Sequence, residues 1–161
     1  VGREPKGTLE EVFEREGVIW LFDGVEYAPN LGFGVRTAEV SGATAVIINV
    51  KKTHEERRTI RRAGMRATRF IPVIYATTEE VLAACNRRIV VAEDVGDKAP
   101  WNADLTGNVL LVVGAENAGV SKEVLDAADD IVRLPMPGFV PSYNLQVAVS
   151  ALAIERLRQS E

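Results

Sequence analysis

The sequence predicts a single α/β domain in which helices cover both faces of a parallel sheet. Six short apolar segments are spread along the chain, and several are continuous apolar runs, which are typical of strands buried on both faces. Segments with helical spacing alternate with these runs, as expected for a sheet built from strand-helix-strand units. The length of 161 residues and the hydrophobic content of 47% suit one domain with a sizeable core.

The predicted elements follow one another regularly after a short N-terminal region. Residues 1–16 are predicted to form a short arm or helix outside the repeating pattern, and Thr8 with Glu11 has the spacing of a capping box. The predicted strands span residues 18–22, 45–50, 70–75, 89–92, 109–113 and 131–134. The predicted helices span residues 31–41, 56–65, 79–86, 122–128 and 146–159, and Thr77 with Glu80 forms a second capping-box pattern.

Composition excludes several classes of protein. No apolar run reaches the roughly 18 residues of a membrane span, and the first residues lack the apolar core of a signal peptide. The only cysteine, Cys85, excludes an internal disulfide framework and suits a reducing compartment. Together with the only histidine, His54, it is too little for a zinc site, so both are predicted to have structural or surface roles. We therefore expect a cytoplasmic protein with no membrane partner and no metal.

Positive charge is concentrated in one segment. The net charge is −4, but residues 51–69 hold eight Lys or Arg against two Glu, so this segment carries +6 and the rest −10. Five arginines fall close to one helical face: Arg58, Arg61, Arg62, Arg66 and Arg69. A solvated helix face remains an alternative, but the clustering of one charge sign favours a phosphate-binding surface.

Three loops follow predicted strands and hold unusual combinations of residues. Ligands of open α/β sheets bind beyond the C-terminal ends of strands, so these loops are candidate sites. In the first, residues 27–43, Asn30 can cap the helix that follows, and Arg36 lies six residues later with Thr37 beside it. In the third, three prolines and a glycine surround Met136, and Ser142 and Asn144 stand where a helix begins.

The second loop, in residues 109–126, reads as strand, glycine loop and helix. Gly114, Gly119 and Ser121 match the spacing of a phosphate-binding P-loop, but Val120 stands where that motif requires lysine. Without this positive charge a nucleotide-binding P-loop is not predicted. The loop still offers backbone amides and the acidic Glu116 at a strand end.

Taken in order, these three loops resemble the motifs of the SpoU/TrmH family of RNA ribose 2′-O-methyltransferases, within the SPOUT superfamily. The first motif is carried by NLGFGVRTA, with Asn30 and Arg36, and the second by VGAENAGVS, with Gly114, Glu116 and Gly119. The third is carried by LPMPGFVPSYNLQVAVS. The resemblance covers residues 18–159. The chain departs from the family pattern at Asn117, where Gly is common, and at Tyr143, where Leu is common.

The resemblance implies a parallel sheet whose C-terminal part forms a deep trefoil knot, with residues 17–161 as the knotted catalytic domain. It implies S-adenosyl-L-methionine as cofactor, bound bent in the knot, and a homodimer with active sites at the interface. The implied cofactor-binding residues are Gly114, Leu134, Met136, Ser142, Tyr143 and Leu145, and Thr77, at another strand end, is expected to join them. The prolines and Gly138 are expected to stiffen the loop around the cofactor.

The resemblance also implies the reaction, which is methylation of a ribose 2′-hydroxyl in tRNA or rRNA. Free guanidinium groups remain protonated near neutral pH, so Arg36 is expected to orient the hydroxyl and stabilise charge rather than remove the proton. Ser142 and Asn144 are expected to align the hydroxyl, and Asn30 to brace the arginine. Glu116 is expected to order the second loop or to touch the substrate.

Two other functions and two RNA substrates remain open at this point. A non-catalytic RNA-binding relative with the same fold is disfavoured by the intact set of motif residues, and a small-molecule nucleotide-binding domain by the missing P-loop lysine. Structured RNA is the expected partner. No separate RNA-binding domain accompanies the short N-terminal arm, and this favours tRNA slightly over rRNA.

Overall fold

The computed structural model describes residues 7–161 of the chain, so the first part of the predicted N-terminal arm, residues 1–6, lies outside the described residues. The described part contains a six-stranded sheet in which all strands are parallel, in the order β3-β2-β1-β5-β4-β6. The strands are β1 Val18–Asp23, β2 Ala45–Ile48, β3 Val73–Tyr75, β4 Arg88–Ala92, β5 Val109–Gly114 and β6 Asp130–Val132. The predicted parallel sheet is thereby confirmed.

Helices cover both faces of this sheet, as predicted. They are α1 Leu9–Phe13, α2 Ala28–Val40, α3 His54–Ala63, α4 Thr78–Ala84, α5 Lys122–Ala127 and α6 Leu145–Ser160. Helices α2, α3 and α6 contribute to the core on one face, and α1, α4 and α5 to the core on the other.

The strands are buried on both faces because alternate side chains enter opposite cores. In β1, Trp20 and Phe22 point into the core shared with α2 and α6, whereas Ile19 and Leu21 point into the core shared with α1 and α4. All four side chains are fully buried. Burying a large apolar side chain contributes about 1.5–3 kcal/mol, so these continuous apolar runs supply much of the folding free energy.

Helix α1 belongs to this packed structure. Leu9, Val12 and Phe13 are buried in the second core, and α1 contacts α4. The described part of the N-terminal region is therefore attached to the sheet, while its separation from a catalytic domain at residue 17 stays a prediction.

Capping boxes begin three of the helices. Those predicted at Thr8 and Thr77 are present, with hydroxyl groups that accept hydrogen bonds from the amides of Glu11 and Glu80. A third, between Thr53 and Glu56, begins α3 and was not predicted. Each satisfies two backbone donors that a helix start otherwise leaves unpaired.

Two predicted boundaries are wrong by three residues, and the others differ by two residues or fewer. Strand β3 begins at Val73 rather than Phe70, because residues 67–69 form a short 3-10 helix and the amide of Phe70 donates to Ala67. Helix α2 begins at Ala28, with Tyr27 at the N-cap position and a proline in its first turn, so Asn30 lies inside the helix and does not cap it. Proline fits that position because its fixed φ suits a helix start and its missing amide has no partner there.

The strand order determines where loops meet. From β1 the chain runs outward through β2 and β3, then returns so that β5 pairs with β1 on its other side. The C-terminal ends of β1 and β5 therefore flank a topological switch point, where open α/β sheets form ligand-binding crevices. Strand pairing does not define whether the chain threads a loop, so the trefoil knot stays a prediction from the resemblance.

Candidate functional site

A cavity of about 440 Å³, here called the first cavity, lies at the C-terminal ends of β4 and β5. Its walls come from the loops after these strands, from the segment after β6 and from the first turn of α6. All the residues predicted to bind cofactor, except Thr77, line it: Gly114, Leu134, Met136, Ser142, Tyr143 and Leu145. The structure thus brings the second and third motifs together.

Two glycines determine the shape of the loop after β5. At Gly114, an added Cβ would lie 2.5 Å from the carbonyl carbon of Gly119 and 2.6 Å from the amide nitrogen of Val120, so the loop folds directly over the strand end. Gly119 has φ +68°, a left-handed conformation that residues with a side chain rarely adopt. The amide of Gly119 donates to the carbonyl of Ala115 at 2.8 Å, which closes the turn.

Two acidic residues that the sequence analysis did not single out hold this loop. Glu93, after β4, accepts a hydrogen bond from the amide of Val120 at 2.7 Å. Asp23, at the end of β1, is buried and accepts hydrogen bonds from the amide of Ser121 at 2.7 Å and from the side chain of Asn49 at 2.6 Å. A carboxylate at the end of an apolar strand is the signal by which the sequence could have identified Asp23.

The polar residues of the third motif have different roles. Ser142 and Tyr143 line the first cavity, and the Tyr143 hydroxyl donates to the carbonyl of Pro135 within the same loop. Asn144 is the N-cap of α6, where its side-chain oxygen accepts from the amide of Gln146 at 2.9 Å. Asn144 therefore orients the helix that follows, and Ser142 faces the space where a ligand would lie.

A second cavity, also of about 440 Å³, lies on the other side of the loop after β5. It is lined by Gly24, Val25, Glu26, Tyr27, Asn30, Gly114, Ala115, Glu116, Asn117, Ala118 and Leu145. Residues 114–118 and Leu145 line both cavities, so Glu116 stands at their common wall. The first and second motifs thus meet at the switch point between β1 and β5.

Arg36 does not line either cavity. It lies on the exposed face of α2, and its Nη1 is 2.8 Å from the sulfur of Met65. The structure of one chain therefore separates the predicted catalytic arginine from Ser142, although Asn30, in the same helix, lines the second cavity.

Thr77 lies outside both cavities, and its contact with the cofactor stays a prediction. It follows β3 at one edge of the sheet, with β2 and β1 between that strand and β5. Its hydroxyl accepts from the amide of Glu80 as the N-cap of α4. The capping pattern recognised in the sequence accounts for this residue.

The arginine surface, defined as Arg58, Arg61, Arg62, Arg66 and Arg69, forms around the end of α3. With Met65 and Thr68, these residues line a shallow depression of about 450 Å³. Met65 and Arg66 have φ of 48° and 75°, left-handed values that turn the chain between α3 and the 3-10 helix. Since Met65 also contacts Arg36, the arginine surface is continuous with the arginine of the first motif.

Cys85 and His54 lie outside both cavities. Burial raises the pKa of the Cys85 thiol, so the thiolate is disfavoured at neutral pH. His54 is the first residue of α3. Among residues 7–161, no group of three or more His, Cys, Asp or Glu side chains is arranged to hold a metal ion. Of the helices in these residues, none has both the length and the apolar character to cross a membrane.

Comparison with known families matches residues 17–154 to the SpoU rRNA Methylase family. The chain is 37% identical over 161 residues to the 23S rRNA (guanosine-2′-O-)-methyltransferase RlmB of Pseudomonas aeruginosa, covering 96% of this chain and 65% of the relative. It is 30% identical to RlmB of Escherichia coli, covering 86% of this chain and 59% of that protein. The chain thus spans less than two thirds of the length of these curated relatives.

Solved structures agree with this match. The AdoMet-bound rRNA methyltransferase from Sinorhizobium meliloti superposes with a TM-score of 0.87 at 27% identity, covering 96% of this chain and 61% of that one. A structure described as giving insights into the 2-OH methylation of C/U34 on tRNA superposes with a TM-score of 0.80 at 26% identity, covering 89% and 95%.

Proposed function

The chain belongs to the SpoU rRNA Methylase family, and from this premise we propose that it methylates a ribose 2′-hydroxyl of ribosomal RNA with S-adenosyl-L-methionine as the methyl donor. The observation that carries the proposal is the first cavity, which is lined by Gly114, Glu116 and Ser142 from two separate motifs. The relatives named above are 23S rRNA methyltransferases that act on guanosine, which supports rRNA as the substrate class.

The lining of the first cavity fits S-adenosyl-L-methionine. Apolar side chains of Leu134, Met136 and Leu145 suit the adenosine part, and the backbone around Gly114 offers hydrogen-bonding groups. Glu93, Asp94 and Glu116 are acidic, and the described lining contains no lysine or arginine, which suits a ligand with a positive sulfonium and a positive amine. When bound, this cofactor supplies an electrophilic methyl group.

Residues of the chain would then prepare the ribose hydroxyl, which is a poor nucleophile. Ser142 is exposed in the cavity wall, where it holds the hydroxyl by a hydrogen bond. Asn144 caps the start of α6 and thereby fixes the positions of Ser142 and Leu145 in the cavity wall. Arg36 carries a permanent positive charge, so it orients the neighbouring phosphate and stabilises the charge that develops on the hydroxyl oxygen. Asn30 and Glu116 both line the second cavity and shape the space beside the first cavity.

The position of Arg36 supports a homodimer with shared active sites. In one chain Arg36 lies outside both cavities, so a second copy is needed to bring an arginine of this motif to the first cavity. Helices α2 and α6 pack against each other, and between them they expose Phe33, Val147 and Ile154. Exposed apolar side chains on neighbouring helices suit contact with another chain.

The arginine surface is proposed to bind RNA phosphates. Arg58 and Arg62 are exposed on α3, and Arg66 and Arg69 are exposed just after it. Because the arginine surface is continuous with Arg36 through Met65, it would guide the RNA backbone toward the reacting ribose. Guanidinium groups suit phosphates because they form two parallel hydrogen bonds.

The preference for tRNA over rRNA is not supported. It depended on the absence of a separate RNA-binding domain from the sequence, but the chain spans only part of its relatives and their names point to 23S rRNA. The cytoplasmic location stays a prediction.

Label transfer tests the proposed function. The chain is incubated with S-adenosyl-L-methionine carrying a labelled methyl group and with in vitro transcribed 23S rRNA, 16S rRNA or tRNA, and the digested nucleosides are separated. We expect label in a 2′-O-methyl nucleoside from 23S rRNA. Cofactor binding in calorimetry without transfer to any of these RNAs would favour the non-catalytic RNA-binding relative.

A further inference from the structure

The second cavity lies where a nucleotide bound in it can reach a ligand in the first cavity. It occupies the crevice between the ends of β1 and β5, which is the switch point of the sheet. Residues 114–118 and Leu145 line both cavities, so a group bound in the second lies directly across this wall from a ligand in the first. Its volume of about 440 Å³ falls within the range of small-ligand sites.

The lining of the second cavity favours a partner rich in hydrogen-bond donors. Two carboxylates, Glu26 and Glu116, lie among its residues, together with the amides of Asn30 and Asn117. The described lining contains no lysine or arginine, which argues against a phosphate. Ionised carboxylates only accept hydrogen bonds, so the preferred ligand carries neighbouring N–H groups. Tyr27 is 64% exposed and offers an aromatic face for stacking.

Guanine has the edge that this lining requires. Its N1–H and its exocyclic amino group are adjacent donors, so both oxygens of one carboxylate can accept from them at once. Adenine, cytosine and uracil each place an acceptor beside the donor on that edge, where a carboxylate would be repelled. Enzymes that do chemistry on a base take it out of its stack and read this edge by hydrogen bonds and aromatic contact, and the same contacts are open to an enzyme that acts on the attached ribose.

A buried lysine fixes the wall that carries Glu26. Lys52 is 7% exposed, and its Nζ donates to the carbonyl oxygen of Glu26 at 2.5 Å and to the carboxylate of Glu56 at 3.3 Å. Glu56 belongs to the capping box at the start of α3, so the loop after β1 is anchored to a helix. This anchoring pre-organises the position of Glu26, as selective recognition requires.

From these observations we propose that the second cavity binds the guanine base of the target nucleotide, with the carboxylate of Glu26 accepting from its N1–H and exocyclic amino group and Tyr27 stacking on the ring. The base then stands across residues 114–118 from the methyl donor, and its ribose lies at the common wall near Glu116. This inference rests on the proposed function; guanosine is also the nucleoside named for the relatives, and what the inference adds is the pair of residues, Glu26 and Tyr27, that would recognise the base.

The test compares Glu26→Gln with the unchanged chain, and with Glu39→Gln, a control on α2 outside both cavities. Each protein receives labelled S-adenosyl-L-methionine and in vitro transcribed 23S rRNA, and the four 2′-O-methyl nucleosides are quantified. We expect the label in 2′-O-methylguanosine. Glu26→Gln should lower kcat/KM at least about tenfold, mainly through KM, because an amide places a donor against the donors of guanine. Glu26→Asp should recover part of this loss.

Separate results overturn the two proposals. Transfer to nucleosides other than guanosine, or unchanged kcat/KM in Glu26→Gln, would contradict guanine binding here while leaving methyl transfer intact. No transfer to any RNA would contradict the proposed function, and guanine recognition with it. Calorimetric affinity for S-adenosyl-L-methionine should be the same in all variants, and a loss in Glu26→Gln alone would mean that Glu26 supports the first cavity instead.

Discussion

At Gly119, both the backbone conformation and the close contact with Glu93 exclude a side chain. Its φ is +68°, and a Cβ added there would lie 2.5 Å from a carboxylate oxygen of Glu93. That carboxylate also accepts from the amide of Val120, so it cannot move without releasing the loop. The shape of the first cavity therefore depends on this position lacking a side chain.

Gly119→Ala should accordingly destabilise the fold and weaken cofactor binding. The unfavourable φ alone costs about 1 kcal/mol, and displacement of Glu93 adds to it. Gly107→Ala is the matched control, because Gly107 has φ +69° but nothing within 4 Å of an added Cβ. Chemical denaturation and calorimetry measure the two effects. Equal destabilisation by both substitutions, with unchanged cofactor affinity, would contradict the role assigned to the contact with Glu93.

Arg36→Ala should abolish methyl transfer while leaving the fold and cofactor affinity largely unchanged. Arg36 is exposed and lines neither cavity of its own chain, so its loss leaves the core unaltered. In the proposed dimer, the same substitution removes a positive charge near the reacting hydroxyl. Arg15→Ala, another exposed arginine outside both cavities, is the control. The rate of methyl transfer at saturating cofactor is measured for both variants. Near-normal transfer by Arg36→Ala would remove this residue from the proposed mechanism.

At the scale of elements, α2 and α3 pack closely because small residues lie between them. A Cβ added at Gly32 would lie 2.5 Å from the Cβ of Ala63 and 2.6 Å from the carbonyl oxygen of Ile60. Gly32 of the first motif therefore allows α2 to pack directly against α3, and this packing holds the end of α3 beside α2. The contact between Arg36 and Met65 follows from this approach.

The arginine surface should determine affinity for RNA and its dependence on salt. Changing Arg58 and Arg62, which are both exposed on α3, to Glu should raise the RNA dissociation constant at least tenfold, or about 1.4 kcal/mol. The slope of log affinity against log salt should flatten by about 1.4 to 1.8, as expected for two lost phosphate contacts. Filter binding at several salt concentrations measures both quantities.

Arg15→Glu with Lys122→Glu is the matched control for this experiment, since it makes the same change in net charge at exposed positions elsewhere. The control should keep the original salt slope. If both double variants weaken binding equally, net charge rather than the arginine surface explains the effect. Cofactor affinity should remain unchanged in each, because neither pair lines the first cavity.

At the scale of the whole molecule, the exposed apolar side chains of α2 and α6 predict a dimer. Light scattering at micromolar concentration should give about twice the 17.5 kDa of one chain. Val147→Glu with Ile154→Glu should shift the protein to the monomer and abolish transfer, because both residues are exposed on α6 and charge opposes burial. Phe70→Glu, on an exposed aromatic outside both helices, should remain dimeric. A mass of one chain for the unchanged protein would contradict shared active sites.

The sequence by itself determined the class of fold and most of the element positions. Apolar runs such as those of β1 and β5 identify strands buried on both faces, because a polar side chain without a hydrogen-bond partner is costly to bury. Capping at Thr8 and Thr77 was equally predictable, because the hydrogen bonds that begin a helix join residues three apart. The motif residues Gly114 and Ser142 were recognised as candidates for one site, and both line the first cavity.

Only the tertiary structure decided which of these residues meet. Hydrophobic patterning reports burial but not strand order, so neither the pairing of β5 with β1 nor the second cavity between them could be predicted. Asp23 and Ser121 are 98 positions apart, yet one hydrogen bond joins them across that pairing. Thr77 was expected at the site, but every strand end looks alike in sequence. Strand order places Thr77 at one edge of the sheet, whereas the first cavity is lined from the ends of β4 and β5 and from the segment after β6.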